Sequence, residues 1–337
     1  MGHAAGAAFR RPYTGVPDGL QTTAERFANV LGSGWLRRSA TQSDMTIPQP
    51  GIFAIGTKAH HHLQFALRGE PGDLLERIGA IRDGNGTVAG ANIVVGFSPT
   101  LTERLWPGQV PTGLTDFEPI VGDGGYTMPA AQHDLWIWLH GASEDAMLVV
   151  ARQAVETLAG VADLVAEEQP FVYRTSLDLT GFEDGTENPP IDEAIGAAVV
   201  PDGEPGAYGS VALLQRWEHD LAGFEALSPR DQELVFGRTL ADNAELDDLD
   251  DHPSAHIARV VIEDDDGDEL EVFRRSAPFG GVRVNGLMFL AFSADRARLQ
   301  TMLERMAGVD GIRDRITDFS TPTDSAWYYV PPIDLLH

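Results

Sequence analysis

The sequence predicts an α+β protein made of two ferredoxin-like domains, and three observations lead to this class. The length of 337 residues suggests about two domains of roughly 150 residues each. A hydrophobic share of 43% with 22% charged residues is typical of a folded chain with a core. Two successive stretches also alternate strand-like and helix-like spacing in the order β-α-β-β-α-β, which is the split-βαβ unit.

The first half shows this order clearly. Apolar runs and period-two alternation predict strands, whereas apolar residues three and four apart predict helices. The predicted strands are at 52–67, 88–97, 133–140 and 161–173, and the predicted helices are at 72–82 and 144–159. Residues 98–130 are rich in proline and glycine and form a long connection.

The second half repeats the order more loosely. Strands are predicted at 210–220, 286–292 and 326–330, and helices at 228–238 and 294–307. Ser228 followed by Pro229 is a helix start signal, with serine as N-cap and proline at the first helical position. Asp266-Gly267 predicts a type I′ turn that joins strands at 256–263 and 269–275. In that hairpin His256 and Arg274 come close enough to reach towards opposite faces of a flat cofactor.

The chain divides into an N-terminal extension at 1–45, a first domain at 46–170 and a second domain at 171–337. The extension contains one predicted helix at 22–31. Arg10-Arg11 resembles the start of an export signal, but the residues that follow have turn chemistry instead of an apolar run. No stretch approaches the ~18 apolar residues of a membrane helix. The sequence therefore predicts a cytoplasmic protein.

Charge and cysteine usage exclude several classes of function. With 24 basic and 51 acidic residues the formal net charge is 24 − 51 = −27, which argues against binding to nucleic acid. Lys58 is the only lysine, so no polybasic segment is present to bind an anionic membrane. Cysteine is absent, which excludes disulfides, iron–sulfur clusters and thiolate-ligated haem or zinc.

Two further clusters invite a metal interpretation that the residues do not support. With Gly267 at the sixth position of a calcium loop, the first and twelfth positions are Ile262 and Phe273, where acidic residues are required. The run at 60–62 consists of three histidines, but neighbouring side chains of a strand point to opposite faces. We therefore interpret the run as a surface strand. His133 and His140 receive no role.

The most distinctive segment is GFEDGTENP at 181–189. Its glycines, its Asn-Pro pair and its acids are incompatible with a regular helix or strand, so a tight loop that presents carboxylates is predicted. Together with SAHIARV at 254–260 and VFRRSAPFG at 272–280, this segment resembles the dye-decolourising peroxidases. The ordered motifs extend over about residues 46–332 and are most similar to the bacterial cytoplasmic subgroup B, also called P.

The resemblance implies the dimeric α+β barrel type of fold, with haem b bound in the C-terminal domain. His256 is implied as the proximal ligand, with Nε2 on the haem iron. Asp318 is implied as the carboxylate that accepts the other ring N–H of His256. Asp184 and Arg274 are implied on the distal side, where peroxide is cleaved.

The resemblance also implies cofactor contacts from Gly185 and Arg238. Ser276 departs from the pattern, because subgroup members often carry asparagine at this position. Trp217 and Trp327 with Tyr328 and Tyr329 are available for a radical relay, but ordinary packing is the better explanation for each of them.

The implied activity is reduction of hydrogen peroxide with oxidation of dyes, phenolics or other small reductants through a ferryl intermediate. An aspartate with a pKa near 3.9 remains a base in acid, so an acidic optimum is expected. One alternative is a haem-handling, deferrochelatase-like protein, and another is a non-enzymatic α+β scaffold. Self-association into a homo-oligomer is implied. The chain stops soon after the last strand, so packaging by a C-terminal peptide into an encapsulin shell is not expected.

Overall fold

The computed structural model describes residues 46–85, 90–264 and 266–336, so the predicted helix at 22–31 and the start of the predicted strand at 88–97 lie outside it. A 3-10 helix, Pro50–Phe53, precedes the first strand. The elements of the first half are β1 Ala59–Leu67, α1 Leu74–Asn85, β2 Asn92–Phe97, α2 Pro99–Leu105, β3 Ile120–Val121, β4 Thr127–Met128, β5 Leu135–Gly141, α3 Glu144–Leu158 and β6 Ala162–Glu168.

The second half contains several short helices between its strands. Its elements are α4 Ala194–Ala198, β7 Ser210–His219, α5 Leu221–Glu225, α6 Pro229–Phe236, α7 His256–Val260, β8 Phe273–Arg274, β9 Ala277–Gly280, β10 Asn285–Ser293, α8 Arg296–Ala307 and β11 Ser320–Val330. Further 3-10 helices are Asp123–Gly125, Leu249–Asp251, Arg315–Asp318 and Ile333–Leu336.

One antiparallel sheet combines both halves. Its strand order is β6-β1-β5-β2-β11-β7-β10-β8, and β9 pairs with β10. Within each half the fourth strand lies beside the first and the third beside the second, which is the ferredoxin-like arrangement. The halves join where β2 meets β11, with Phe97 opposite Tyr329. The predicted α+β class with two ferredoxin-like units is therefore confirmed.

The helices cover one face of this sheet. In the first half, α1 and α3 pack on apolar residues of β1, β2 and β5, such as Phe65, Phe97 and Ile137. In the second half, α8 packs on Leu213 and Trp327 of β7 and β11. Strand residues alternate between faces, so the residues between these positions point to the opposite face, called the inner face below.

The inner face is enclosed because the sheet curves back on itself. The segment after β6 pairs with β1 through a bridge between Ala59 and Phe171. The amide of Phe171 donates to the carbonyl of Pro278 in β9, at 2.8 Å. This contact joins the two ends of the sheet. His60 and His62 are 7% and 2% exposed, so the prediction of a surface strand at 60–62 is wrong.

The predicted hairpin around Asp266-Gly267 is also wrong in its strands. Gly267 has φ +87° and its amide donates to the carbonyl of Asp264, so the turn exists. The only bridge among the described residues beside it joins Glu263 to Glu269. His256 begins the helix α7 instead of a strand, because Arg259 in this helix anchors it to α8 through hydrogen bonds to the carbonyl of Arg305.

Short sequence motifs predict the ends of helices correctly. The Ser228 hydroxyl accepts from the amide of Asp231, and α6 ends at Gly237 with φ +85°. A second Ser-Pro signal within the predicted connection at 98–130 begins α2, where the Ser98 hydroxyl accepts from Leu101. Among the described helices, none combines the length and apolarity needed to cross a membrane.

Candidate functional site

A large cavity lies on the helical face of the second half. The empty space that it encloses, together with the open space at its mouth, is about 1380 Å³. Most of its wall is apolar, from Leu213, Leu287, Phe289, Met302 and Leu303 among others. Polar and charged side chains also contribute to the wall, and five of the six predicted site residues line the cavity: Asp184, Gly185, Arg238, His256 and Arg274.

His256 is fixed in orientation by a buried carboxylate. Its Nδ1 lies 2.7 Å from Oδ2 of Asp314, which is fully buried. The other oxygen of Asp314 accepts from the amide of Ile316 at 2.9 Å and so caps the 3-10 helix Arg315–Asp318. A carboxylate held in this way fixes the imidazole tautomer with the proton on Nδ1. Nε2 of His256 is therefore the nitrogen that can bind a metal.

The assignment of Asp318 as the partner of His256 is wrong. Asp318 lies one helical turn further along the chain, is about half exposed and forms an ion pair with Arg313. The N-terminal position of the 3-10 helix directs Asp314, four residues earlier, towards His256. Asp314 and Asp318 are only four residues apart in the sequence, and only the direction of this single turn distinguishes them.

Asp184 lies on the loop at 181–189, as predicted. Its backbone amide donates to the carbonyl of Ser176, and the following Gly185 adopts φ +78°. A Cβ at Gly185 would lie 3.1 Å from Nδ2 of Asn188, so the loop requires glycine here. Burial raises the pKa of Asp184, whereas the positive charge of Arg274 opposes this rise. Asp184 is thus a carboxylate suited to accepting a proton.

Arg274 extends a guanidinium into the cavity without a protein partner at Nε. This atom is buried and forms no hydrogen bond in the described structure. The backbone of Arg274 is fixed by Asn188, whose Oδ1 accepts from the amide at 2.7 Å. A buried donor without a partner is costly, so this nitrogen is available to an anionic or oxygen-bearing ligand in the cavity.

A second histidine–aspartate pair lines the same cavity and was not predicted. Nε2 of His219 lies 3.1 Å from Oδ1 of Asp178, and its Nδ1 lies 2.8 Å from the hydroxyl of Ser320. His219 and the hydroxyl of Thr180, which also bonds to Asp178, lower the pKa of Asp178 against the effect of burial. Neither His219 nor Asp178 lies in the three segments at 181–189, 254–260 and 272–280 that carried the family resemblance.

The mouth of the cavity is acidic. Arg238 forms an ion pair with Glu187, and its Nη1 donates to the carbonyl of Asn243 at 2.8 Å. Burial and the neighbouring Glu187 raise the pKa of Glu269, which also lines the cavity. Arg238 therefore lies where the charged edge of a bound ligand would meet the protein, but its charge is shared with Glu187.

Fold and site together define a two-domain α+β protein with a ligand cavity in its second half. Two family profiles match the chain, "Dyp-type peroxidase, N-terminal" over residues 53–172 and "Dyp-type peroxidase, C-terminal" over residues 175–335. The chain therefore belongs to the Dyp-type peroxidase family.

Individual relatives agree with this assignment. A dye-decolorizing peroxidase of Mycolicibacterium paratuberculosis is 37% identical over 239 residues, which is 69% of this chain and 67% of the relative. Another from Rhodococcus erythropolis is 32% identical over 86% of this chain and 88% of its own length.

Solved structures are similar throughout the described fold. DyPB from Rhodococcus jostii RHA1 has a TM-score of 0.80 at 31% identity, covering 86% of this chain and 97% of its own. Variants of that protein were solved in complex with haem. The encapsulated DyP-type peroxidase of Mycobacterium smegmatis has a TM-score of 0.80 at 32% identity, covering 87% and 98% of the two chains.

Proposed function

We propose that this chain is a haem-dependent peroxidase that binds haem b in the cavity of its second half, with Nε2 of His256 as the iron ligand. The observation that carries the proposal is the pairing of His256 with the buried Asp314 at the cavity wall. It leaves one imidazole nitrogen available in a wide apolar cavity. An anionic partner on Nδ1 makes the imidazole a stronger donor to iron.

The described residues fit a haem group. The apolar wall suits a macrocycle, Nε2 of the His256 imidazole suits iron, and the unpartnered Nε of Arg274 suits an oxygen ligand. When bound, haem supplies the redox-active iron on which peroxide is reduced. Gly185, which lines the cavity beside Asp184, and Arg238 at the mouth are proposed as further contacts of the cofactor.

Asp184 and Arg274 have different proposed roles in the reaction with peroxide. With haem bound, Asp184 would accept a proton from one oxygen of hydrogen peroxide and return it to the other. The guanidinium of Arg274 would stabilise the negative charge that develops on the departing oxygen. Both side chains line one cavity and are close enough for the charge of Arg274 to act on the pKa of Asp184.

Substrates and organisation complete the proposal. The reductants are dyes, phenolics or other small molecules, and hydrogen peroxide is the oxidant. The first family match ends at residue 172 and the second begins at residue 175, close to the proposed boundary between domains at 46–170 and 171–337, which follow an extension at 1–45. A cytoplasmic location, a homo-oligomer and the absence of encapsulin packaging stay predictions. The family assignment favours the peroxidase over a non-enzymatic scaffold.

An absorption spectrum with and without hydrogen peroxide tests the proposal. The protein supplied with haem should show a Soret band that shifts on addition of peroxide, and His256→Ala should lose the iron ligand and the shift. His252→Ala is the matched control, because this histidine lies outside the cavity lining. A colourless protein, or iron ligation unaffected by His256→Ala, contradicts the proposal.

A further inference from the structure

Six aromatic and imidazole rings are packed side by side on the inner face of the sheet. We call this group the inner ladder; its members are His60, His62, Trp136, Trp138, His140 and Tyr328. The rings of Trp136 and Trp138 lie 6.4 Å apart and 7° from parallel. Tyr328 stacks on Trp136 at 5.5 Å, and His140 stacks on Trp138 at 3.9 Å. All six side chains are buried.

Each tryptophan of the inner ladder donates its indole N–H to a histidine. Nε1 of Trp138 lies 3.2 Å from Nδ1 of His60, and Nε1 of Trp136 lies 3.2 Å from Nδ1 of His62. An indole nitrogen only donates, so both Nδ1 atoms must be unprotonated acceptors. Burial lowers the pKa of His60 to about 4, and it lowers that of His62 as well. Each indole is therefore bonded to a free base near neutral pH.

Packing alone does not account for this arrangement. The interior of a small barrel is ordinarily filled with aliphatic and phenylalanine side chains, which need no polar partner. Here two neutral imidazoles are buried, at the cost of desolvation, and each is bonded to an indole. Any carbonyl oxygen would satisfy an indole N–H, but only a base can take its proton.

The inner ladder lies directly behind the wall of the cavity. Arg274 and Val272 line the cavity, whereas Phe273 between them points to the inner face and pairs with Phe292. The ring of Phe292 lies 6.0 Å from that of Trp138. The guanidinium of Arg275, the residue after Arg274, lies 5.1 Å from the same indole. Neighbouring residues of a strand point to opposite faces, so the inner ladder and the cavity lie on opposite faces of the same sheet.

We propose that Trp136 and Trp138 form a one-electron redox site with His62 and His60 as proton acceptors, which rests on the proposed function. One indole gives an electron to the peroxide-oxidised cofactor, which is reduced by one electron. The indole Nε1–H bond breaks and the proton passes to Nδ1 of the bonded histidine. The products are a neutral indolyl radical and an imidazolium, so the positive charge that loss of the electron leaves on the pair is carried by the imidazole.

The position of Arg275 selects between the two indoles. Its positive charge lies over Trp138 and makes loss of an electron from this ring less favourable. Trp136 has no cation placed over its ring among the described contacts and stacks on Tyr328 instead. Trp138 is therefore the relay and Trp136 the site where the oxidising equivalent rests. Storage of the oxidising equivalent on Trp136 protects the cofactor until a reductant returns the electron.

Freeze-quench electron paramagnetic resonance of the holoenzyme tests the site. After one equivalent of hydrogen peroxide without reductant, the wild type should give a tryptophan radical signal that Trp136→Phe largely abolishes. Trp327→Phe is the matched control: this indole is also fully buried, but it lies on the helical face of the same sheet. It should leave the signal unchanged. An equal signal in wild type and Trp136→Phe overturns the proposal.

The proton acceptors are tested with His62→Asn, whose side-chain oxygen can replace Nδ1 as acceptor but is not a base at neutral pH. The radical should change from the neutral form to the radical cation, seen as an added exchangeable proton coupling in comparison with deuterated buffer. Unchanged protonation of the radical contradicts the role of His62.

A measurement without haem separates this inference from the proposed function. The apo-protein is irradiated with tris-bipyridyl ruthenium and persulfate, and transient absorption records the indolyl radical. The wild type and Trp327→Phe should give more neutral radical than the Trp136→Phe/Trp138→Phe double variant. Equal yields overturn the redox site whether or not the chain binds haem. Failure to bind haem with the expected difference in apo-protein would instead reject the proposed function alone.

Discussion

The side chain of Asn188 holds the backbone of Arg274 at two points. Its Oδ1 accepts from the amide of Arg274 at 2.7 Å, and its Nδ2 donates to the carbonyl of the same residue at 2.9 Å. One asparagine thus connects the end of the loop at 181–189 to β8. Because Asp184 lies on that loop, the contact restrains the distance between the carboxylate of Asp184 and the guanidinium of Arg274, for which we propose a joint role in the reaction with peroxide.

Asn188→Ala should slow the reaction with peroxide about 10- to 100-fold, because small displacements of a catalytic group have effects of this size. Haem binding and the iron ligand should stay unchanged, since Asn188 contacts neither His256 nor Asp314. Stopped-flow kinetics and the absorption spectrum measure the two effects. Asn92→Ala removes an asparagine of β2 that bonds to the carbonyl of His140, far along the sheet, and should retain the wild-type rate. Equal rates in both variants would show that the contact does not position Arg274.

Asp314→Asn and Asp318→Asn form a pair that separates the two candidate partners of His256. Replacing a carboxylate that orients a ligating histidine typically costs 10- to 100-fold in activity or metal affinity. Asp314→Asn should show a loss of this size together with a raised reduction potential of the iron. Asp318→Asn breaks only a half-exposed ion pair with Arg313, and should change activity less than about 2-fold. The reverse order would restore the assignment made from the sequence.

The sequence predicted the fold through signals that are local or periodic. Helical spacing located α1 and α3, the Ser228-Pro229 pair located the start of α6, and apolar runs located most strands. These signals depend on short-range geometry and are retained in the folded chain. The closure of the sheet could not be predicted, since it depends on a contact between Phe171 and Pro278, more than a hundred residues apart.

The sequence predicted residues that line the cavity but not how these residues are arranged. Motif resemblance brought Asp184, His256 and Arg274 to one site, which the structure confirms as lining of one cavity. The elements that carry them were partly wrong, because turn chemistry at Asp266-Gly267 does not require strands on either side. The choice between Asp314 and Asp318 failed for a similar reason, since two acids one turn apart differ only in direction. Burial of the histidines at 60–62 depends on the closed sheet, which no local pattern reports.

The pH dependence of the reaction with peroxide should have an acid limb set by Asp184. Burial raises the pKa of this carboxyl, so its basic form is lost at a higher pH than for an exposed aspartate. The charge of Arg274 counteracts the rise, so Arg274→Leu should move the acid limb to still higher pH. Arg274→Lys keeps a positive charge and is the matched control. Stopped-flow rates between pH 3 and pH 8 locate the limb, and an identical limb in both variants would exclude Asp184 as the titrating group.

Stability should fall in acid because of the buried imidazoles of the inner ladder. Burial and the charge of Arg275 lower the pKa of His60 from 6.5 to about 4. Between pH 4 and pH 6.5 the unfolded chain therefore binds more protons than the folded chain. The free energy of unfolding consequently increases as the pH rises through this window and decreases as the pH falls. The shift of about 2.5 units corresponds to about 3 kcal/mol.

Urea unfolding at pH 7, 5.5 and 4 measures the decrease in the free energy of unfolding on acidification. The wild type should show the whole of this decrease. His60→Asn should be less stable at pH 7, because the bond to Trp138 is altered, but should lose less stability on acidification. His252→Asn removes a partly exposed imidazole in the same way and reports the effect of losing a histidine outside the sheet. If His60→Asn and His252→Asn depend on pH equally, the acid sensitivity does not originate in the inner ladder. If the stability of His60→Asn alone depends less on pH, the acid sensitivity originates in the inner ladder. Only this variant removes a proton-binding group that is buried on folding.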